Sequence, residues 1–268
     1  MALTKVLITV KTYPTISGKY DELVCTAGFL EDGTWIRIYP VPFRKRAYAE
    51  QYKKYDWIEL DLVKNTSDFR PESYRPKTLD TEIKVIGHID PARNWEERKR
   101  YCLGKVYENL TELIGEAKNK EIGTSLAVFK PTEFLDFYAE PVEREWNAKQ
   151  KATLAQQNLF ENKDEFEVVK KLPYRFKFRY LDNEGRESNM MIEDWETGQL
   201  FWRCLARHKG NEQKAIEDVR KKYFDDFAKT KDLYFYLGTT KSNHYVSHNP
   251  FMIIGTFHPK KETQMKLF

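Results

Sequence analysis

Leu23–Phe29 (LVCTAGF), the tripeptide Glu31-Asp32-Gly33 and Thr34–Tyr39 (TWIRIY) form the stretch on which the fold reading turns. An Asp-Gly pair between two β-favouring runs is a strong hairpin signal, because glycine takes the positive φ that tight turns demand. On the second arm Trp35, Arg37 and Tyr39 point one way, and Ile36 and Ile38 the other, at the strand period of two. Working outward, Val6–Val10, Trp57–Val63 and Glu82–Ile86 bring the count to about five strands. The economical arrangement is a small antiparallel barrel or a strongly bent sheet.

Downstream the pattern changes. Asp90 as N-cap and Pro91 at the first position predict a helix, and Trp95, Cys102, Val106, Leu110 and Leu113 carry it toward Lys120. Ser125–Phe129 and Phe134–Tyr138 read as short strands. Residues 141–166 are polar and are expected to form a linker. Beyond them, Tyr174–Tyr180 alternates Arg175, Lys177 and Arg179 with Phe176 and Phe178, a half-buried strand that turns back at Asp182–Gly185 toward Ser188–Ile192. Helices follow over Asp194–His208 and Asn211–Lys229, then strands over Leu233–Leu237 and Met252–Phe257. The expected fold is α+β: a β-rich, barrel-like unit over 1–140, and a mixed sheet with two helices over 167–268.

Composition narrows the function classes. The 268 residues are 41% hydrophobic and 15% aromatic, enough for a sizeable core, which excludes a disordered or low-complexity chain. The net charge of +4 permits a nucleic-acid partner, and only clustering of charge argues for one. No apolar run reaches the roughly 18 residues of a membrane helix. The first residues lack the pattern of a signal peptide. Cys25, Cys102 and Cys204 are odd in number and widely spaced, which suits neither a disulfide framework nor a zinc knuckle. A reduced, cytoplasmic protein with no membrane partner is the expectation.

Clustering does occur. Between residues 37 and 54, Arg37, Arg44, Lys45, Arg46, Lys53 and Lys54 stand against Glu50 alone. Trp35, Tyr39, Phe43, Tyr48, Tyr52 and Tyr55 are interleaved with them. Cations for phosphates and rings for base stacking are what single-strand binders use. The strand face shared by Arg37 and Tyr39 is the expected platform, with Trp35 among the nearby rings. Arg70, Arg75 and Lys77 are expected on a loop that closes over it. DNA is the predicted partner, with single strands favoured. The plainer reading is a solvated basic face with its aromatics in the barrel core.

The last five residues, Gln264-Met265-Lys266-Leu267-Phe268, resemble the pentapeptide by which bacterial replication and repair proteins dock on the sliding clamp. The resemblance implies that Gln264 hydrogen-bonds in one small pocket while Met265, Leu267 and Phe268 supply apolar contact. It covers these residues and nothing upstream. Gln156–Phe160 is similar but departs from the pattern, its second residue, Gln157, being polar.

A third pattern is enzymatic. Asp61, Glu82 and Lys84 resemble the metal-binding residues of restriction-type nucleases, which would imply a magnesium ion and an activated water. The usual Pro-Asp element is missing, since Leu60 precedes Asp61, and Glu-x-Lys is a common string on exposed strands. His244, His248 and His258 fall within fifteen residues and suit a polar binding loop better than a metal site. Glu193, Asp194 and Glu196 suit the N-terminal end of a helix dipole. Gly238–Lys241 lacks the glycines of a phosphate loop. The sequence thus points first to a DNA-binding accessory factor of bacterial or phage replication or repair, tethered to the clamp. A nucleic-acid-processing enzyme and a protein-interaction module are the alternatives.

Overall fold

The computed structural model describes residues 3–16, 22–148, 150, 152 and 169–262. The chain folds as two compact units, Met1–Ile89 with Glu140–Arg175, and Asp90–Ala139 with Phe176–Phe268.

The first unit is a curled half-barrel. Its strands are β1 (Thr4–Lys11), β2 (Thr15–Ile16), β3 (Glu22–Phe29), β4 (Trp35–Val41), β5 (Asp56–Leu60), β6 (Leu62–Lys64), β7 (Ser73–Pro76) and β8 (Lys84–His88). They lie in the order β6-β7-β4-β3-β1-β5-β8, with β2 beside β3. The expected hairpin is β3–β4: Gly33 sits at φ +82°, and the Asp32 carboxylate accepts the Thr34 amide at 2.9 Å. Gly28 is dictated by strand contact, since a Cβ there would lie 1.9 Å from the Leu7 carbonyl oxygen. Central β1 is covered on both faces, and Val6, Leu7, Ile8 and Val10 are fully buried. The strand expected over Trp57–Val63 is broken at Asp61, whose carbonyl accepts the Lys77 amide at 3.1 Å.

The remaining elements are α1 (Ala92–Cys102), β9 (Val106–Tyr107), α2 (Leu110–Lys118), β10 (Leu126–Phe129), β11 (Glu133–Pro141), β12 (Tyr174–Leu181), β13 (Glu187–Met191), α3 (Trp195–Arg207), α4 (Glu212–Arg220), β14 (Tyr234–Thr239) and β15 (Phe251–Phe257). One sheet runs β15-β14-β10-β9, mixed because β9 and β10 are parallel, and another runs β11-β12-β13. The α+β class and the mixed C-terminal sheet agree with the sequence reading. Rings fill this core: Phe137 stacks on Tyr223 at 5.3 Å and meets Phe178 at 4.7 Å, and Phe178 meets Phe235 at 4.9 Å. Asp194 caps α3 and Asn211 caps α4, as Asp and Asn do where a free carbonyl oxygen can take an orphan amide.

Three local expectations change. The helix drawn from Asp90 to Lys120 is two helices separated by β9, and Arg93, Asn94 and Trp95 take left-handed φ of 47°, 53° and 64°. The helix over 211–229 widens to π geometry at Lys221–Ala228. The division into units also differs from 1–140 and 167–268. Residues 90–139 pack with the C-terminal half because β10 pairs with β14, and Trp95 lies against Phe257 at 5.0 Å. Within the expected linker, Pro141–Ala148 is tied back by Val142 to the Pro173 carbonyl at 3.0 Å. Gln156–Phe160 and Gln264–Phe268 lie outside the described residues.

Candidate nucleic-acid interface

The basic–aromatic stretch divides in two. Its rings mostly go inward: Phe43, Tyr52 and Tyr55 are 5%, 1% and 6% exposed. Phe43 and Tyr52 meet at 4.8 Å, and the Tyr52 and Thr26 hydroxyls are hydrogen-bonded inside the barrel. That burial pushes the Tyr52 phenol well above its ordinary pKa. Lys11 sits in the same cluster, its ammonium 4.3 Å from the Phe43 ring centre and 3.0 Å from the Tyr52 carbonyl. Trp35 is half-buried against Phe29 at 4.0 Å, and Tyr39 is half-buried.

Arg37 is 2% exposed and unavailable to a phosphate, contrary to its place in the expected platform. The segment leading into β7 lies close by: the Arg37 amide donates to the Glu72 carbonyl at 2.8 Å, and the charges of Arg70, Glu72 and Asp68 reach the guanidinium. Arg75, by contrast, is on a strand and not on a loop. Ser73–Pro76 is strand β7, paired parallel to β4 with Ser73 opposite Arg37. Burial first, and the like charge of Arg70 second, pull the Arg37 guanidinium below its ordinary pKa. Arg70 is itself buried, its Nη2 2.6 Å from Asp68 Oδ2 and its Nε 2.9 Å from Asp68 Oδ1. Burial alone would raise the Asp68 carboxyl, but the Arg70 hydrogen bonds and charge, with a bond from Ser73 at 2.9 Å, hold it at about 2. Arg46 is also structural. It reaches Glu50 at 2.8 Å, the Thr81 carbonyl at 2.8 Å and the Leu79 carbonyl at 2.5 Å, clamping 43–50 to 79–81. Lys54 is 8% exposed.

What remains outside lies at one end of the sheet and along its β6–β7 edge. Because β4 and β7 run parallel, the segments that follow them leave the sheet at the same end, where Arg46 joins them. Here Lys45, Lys53 and Lys77 are exposed and Arg44 half-exposed, and Tyr48 holds its ring 86% in solvent. The β6–β7 hairpin extends this along the sheet edge. Arg75 is exposed, Lys64 lies 4.6 Å over the Tyr74 ring, and Phe69 is 48% exposed at the tip. Lys64, Phe69 and Tyr74 were not singled out from sequence. The only signal was that Phe69 stands between polar neighbours with no alternating partner.

The carboxylates of the nuclease pattern face lysines. Asp61 pairs with Lys77 at 3.1 Å, and exposed Glu82 with Lys84 at 3.7 Å. Among the described residues no group of three or more His, Cys, Asp or Glu side chains is placed to hold a metal. His244 is buried and bonded to Thr239 at 2.8 Å, so it is no exposed binding histidine. Asp194 serves as the cap of α3. Cys25, Cys102 and Cys204 are free thiols, and burial pushes Cys102 up to about 12. Among the described residues no helix is long and apolar enough to cross a membrane.

Residues 106–268 match the family model described as Domain of unknown function (DUF8757), more than half of the chain. The chain belongs to that family. Residues 2–104 match a second model, Domain of unknown function (DUF8758). No curated protein matches the sequence. Among solved structures, one titled "Structure of murine DNA binding protein bound with ds DNA" aligns over 98% of each chain at 11% identity, with a TM-score of 0.34. A likeness at that level carries no conclusion about this chain.

Proposed function

We propose that this chain is a DNA-binding accessory factor of bacterial or phage replication or repair, held at its sites of action by a sliding clamp. The observation that carries the DNA-binding half is Tyr48. A ring left 86% in solvent beside Arg44 and Lys45 has no packing role, and it suits the stacking-plus-phosphate chemistry of single-strand recognition. Lys53, Lys77 and Arg75 supply further charge on the same unit. The clamp half rests on Gln264–Phe268 alone, through its resemblance to the docking pentapeptide. A tether raises local concentration, so modest affinity at both sites suffices. A cytoplasmic setting suits the free thiols.

The non-catalytic reading is preferred to the nuclease because Asp61 and Glu82 each lie against a lysine rather than facing a shared site. The test is an anisotropy titration of labelled DNA with the full chain, compared with Tyr48→Ala and with Arg44→Ala/Lys45→Ala. Parent-like affinity in both variants overturns the assignment.

A further inference from the structure

A second surface lies in the other unit. The sheet β11-β12-β13 buries one face through Phe137, Phe176, Phe178, Tyr180 and Met190, all 3% exposed or less. By strand alternation the opposite face of central β12 carries Lys177 and Arg179. Arg179 stands directly opposite Asn189, so these two share that outer face.

One hydrogen bond organises it. The Asn189 amide donates to the hydroxyl of Tyr138. Tyr138 is on β11 and Asn189 on β13, and β12 runs between them. Neighbouring strands are about 4.8 Å apart, so the bond has to span about 10 Å. A tyrosine reaches that far only by leaning over the central strand. Its side chain therefore leans across the sheet, in the region of Lys177 and Arg179, and is half-buried. The Arg179–Glu187 ion pair beside it is loose, 3.7 Å between side chains that are both about half exposed. Phosphate exchanges with such a pair at little cost.

We infer that the outer face of β11–β12–β13 is a second binding platform for single-stranded nucleic acid, with Tyr138 stacking a base and Lys177 and Arg179 taking the flanking phosphates. Two things favour this ligand over an acidic peptide. The Tyr138 ring offers a π-face, on which a base stacks and a carboxylate does not. Cations two residues apart on a strand are about 6.6 Å apart. That separation is of the order of the distance between neighbouring phosphates on one strand, so the two phosphates that flank a base can meet the pair. The site shares no residue with the Tyr48 surface and stands or falls separately.

The experiment uses the full chain and labelled oligo-dT and oligo-rU, titrated over a range of salt. Tyr138→Ala should weaken binding about tenfold. Tyr138→Phe keeps the ring and should stay within about threefold of the parent, with the stacking residue intact. Lys177→Ala/Arg179→Ala should flatten the salt slope by about 1.4, two phosphates on a single strand. Arg44→Ala/Lys45→Ala serves as the comparison: its effect should combine with that of the β12 pair, whereas loss in that variant alone overturns the second platform. If folded Tyr138→Ala and the β12 double variant bind like the parent, the inference is wrong. It is equally wrong if poly-glutamate competes as well as DNA at equal charge. Should Tyr138→Ala fail to fold, the double variant decides alone, because both of its side chains are on the solvent face.

Discussion

Arg70 holds Asp68 through two nitrogens in the wall of the half-barrel, Nη2–Oδ2 at 2.6 Å and Nε–Oδ1 at 2.9 Å, with both side chains under 10% exposed. The pair takes a cation that looks like a phosphate ligand and makes it part of the frame that seats β7 against β4. Removing one partner leaves a buried charge. Arg70→Ala should therefore lower unfolding free energy by about 3 kcal/mol. Denaturant titration with an unchanged m-value checks this.

The same pair sets an acid limit. The Asp68 carboxyl is depressed to about 2 from an ordinary 3.8, so its stabilisation is complete above about pH 4 and is lost as pH falls from there through 2. Asp68→Asn should be less stable at neutral pH and should show a shallower loss across that window. Thermal melts between pH 5 and 2 measure it; identical pH slopes in the two proteins would contradict the assignment.

Arg46 and Lys45 are neighbours with opposite roles. Arg46→Ala should lower Tm by several degrees, because it frees the 43–50 segment from the Leu79 and Thr81 carbonyls. Lys45→Ala should leave Tm within a degree and reduce the salt slope on single-stranded DNA by about 0.7. If Lys45→Ala destabilises as much as Arg46→Ala, the division between frame and surface is misplaced.

Part of this was legible in the sequence. The β3–β4 hairpin, the caps of α3 and α4, and the alternation of β12 are local signals, each set by a few adjacent residues. Arg37 was misread for a physical reason. Alternation with Trp35 and Tyr39 looks the same whether that face meets water or another segment, and the Asp68–Glu72 segment, whose charges reach Arg37, is supplied from thirty-odd residues away. The place of residues 90–139 was hidden in the same manner, since β10 finds its antiparallel partner β14 more than a hundred residues on. The Tyr138–Asn189 bond needs three strands to be assembled before it exists.

The tail gives a separable prediction. Deleting residues 264–268 should abolish binding to the sliding clamp of the same organism in calorimetry and leave DNA affinity unchanged. Leu267→Ala/Phe268→Ala should match the deletion, because those side chains supply most of the buried apolar area, while Lys266→Ala should bind as the parent does. No heat from the intact protein against the clamp sinks the tether.

The central claim is that the chain binds single-stranded DNA through charge and stacking. Its most direct measurement is fluorescence anisotropy of the full chain against labelled single-stranded DNA, duplex DNA and RNA at salt concentrations from ~50 to ~200 mM. The account predicts saturable binding, tighter on single strands than on duplex, with log affinity falling linearly in log salt and Tyr48→Ala weakening it by about 1–3 kcal/mol. Absence of binding at the lowest salt, or an affinity indifferent to salt and to Tyr48, would contradict it.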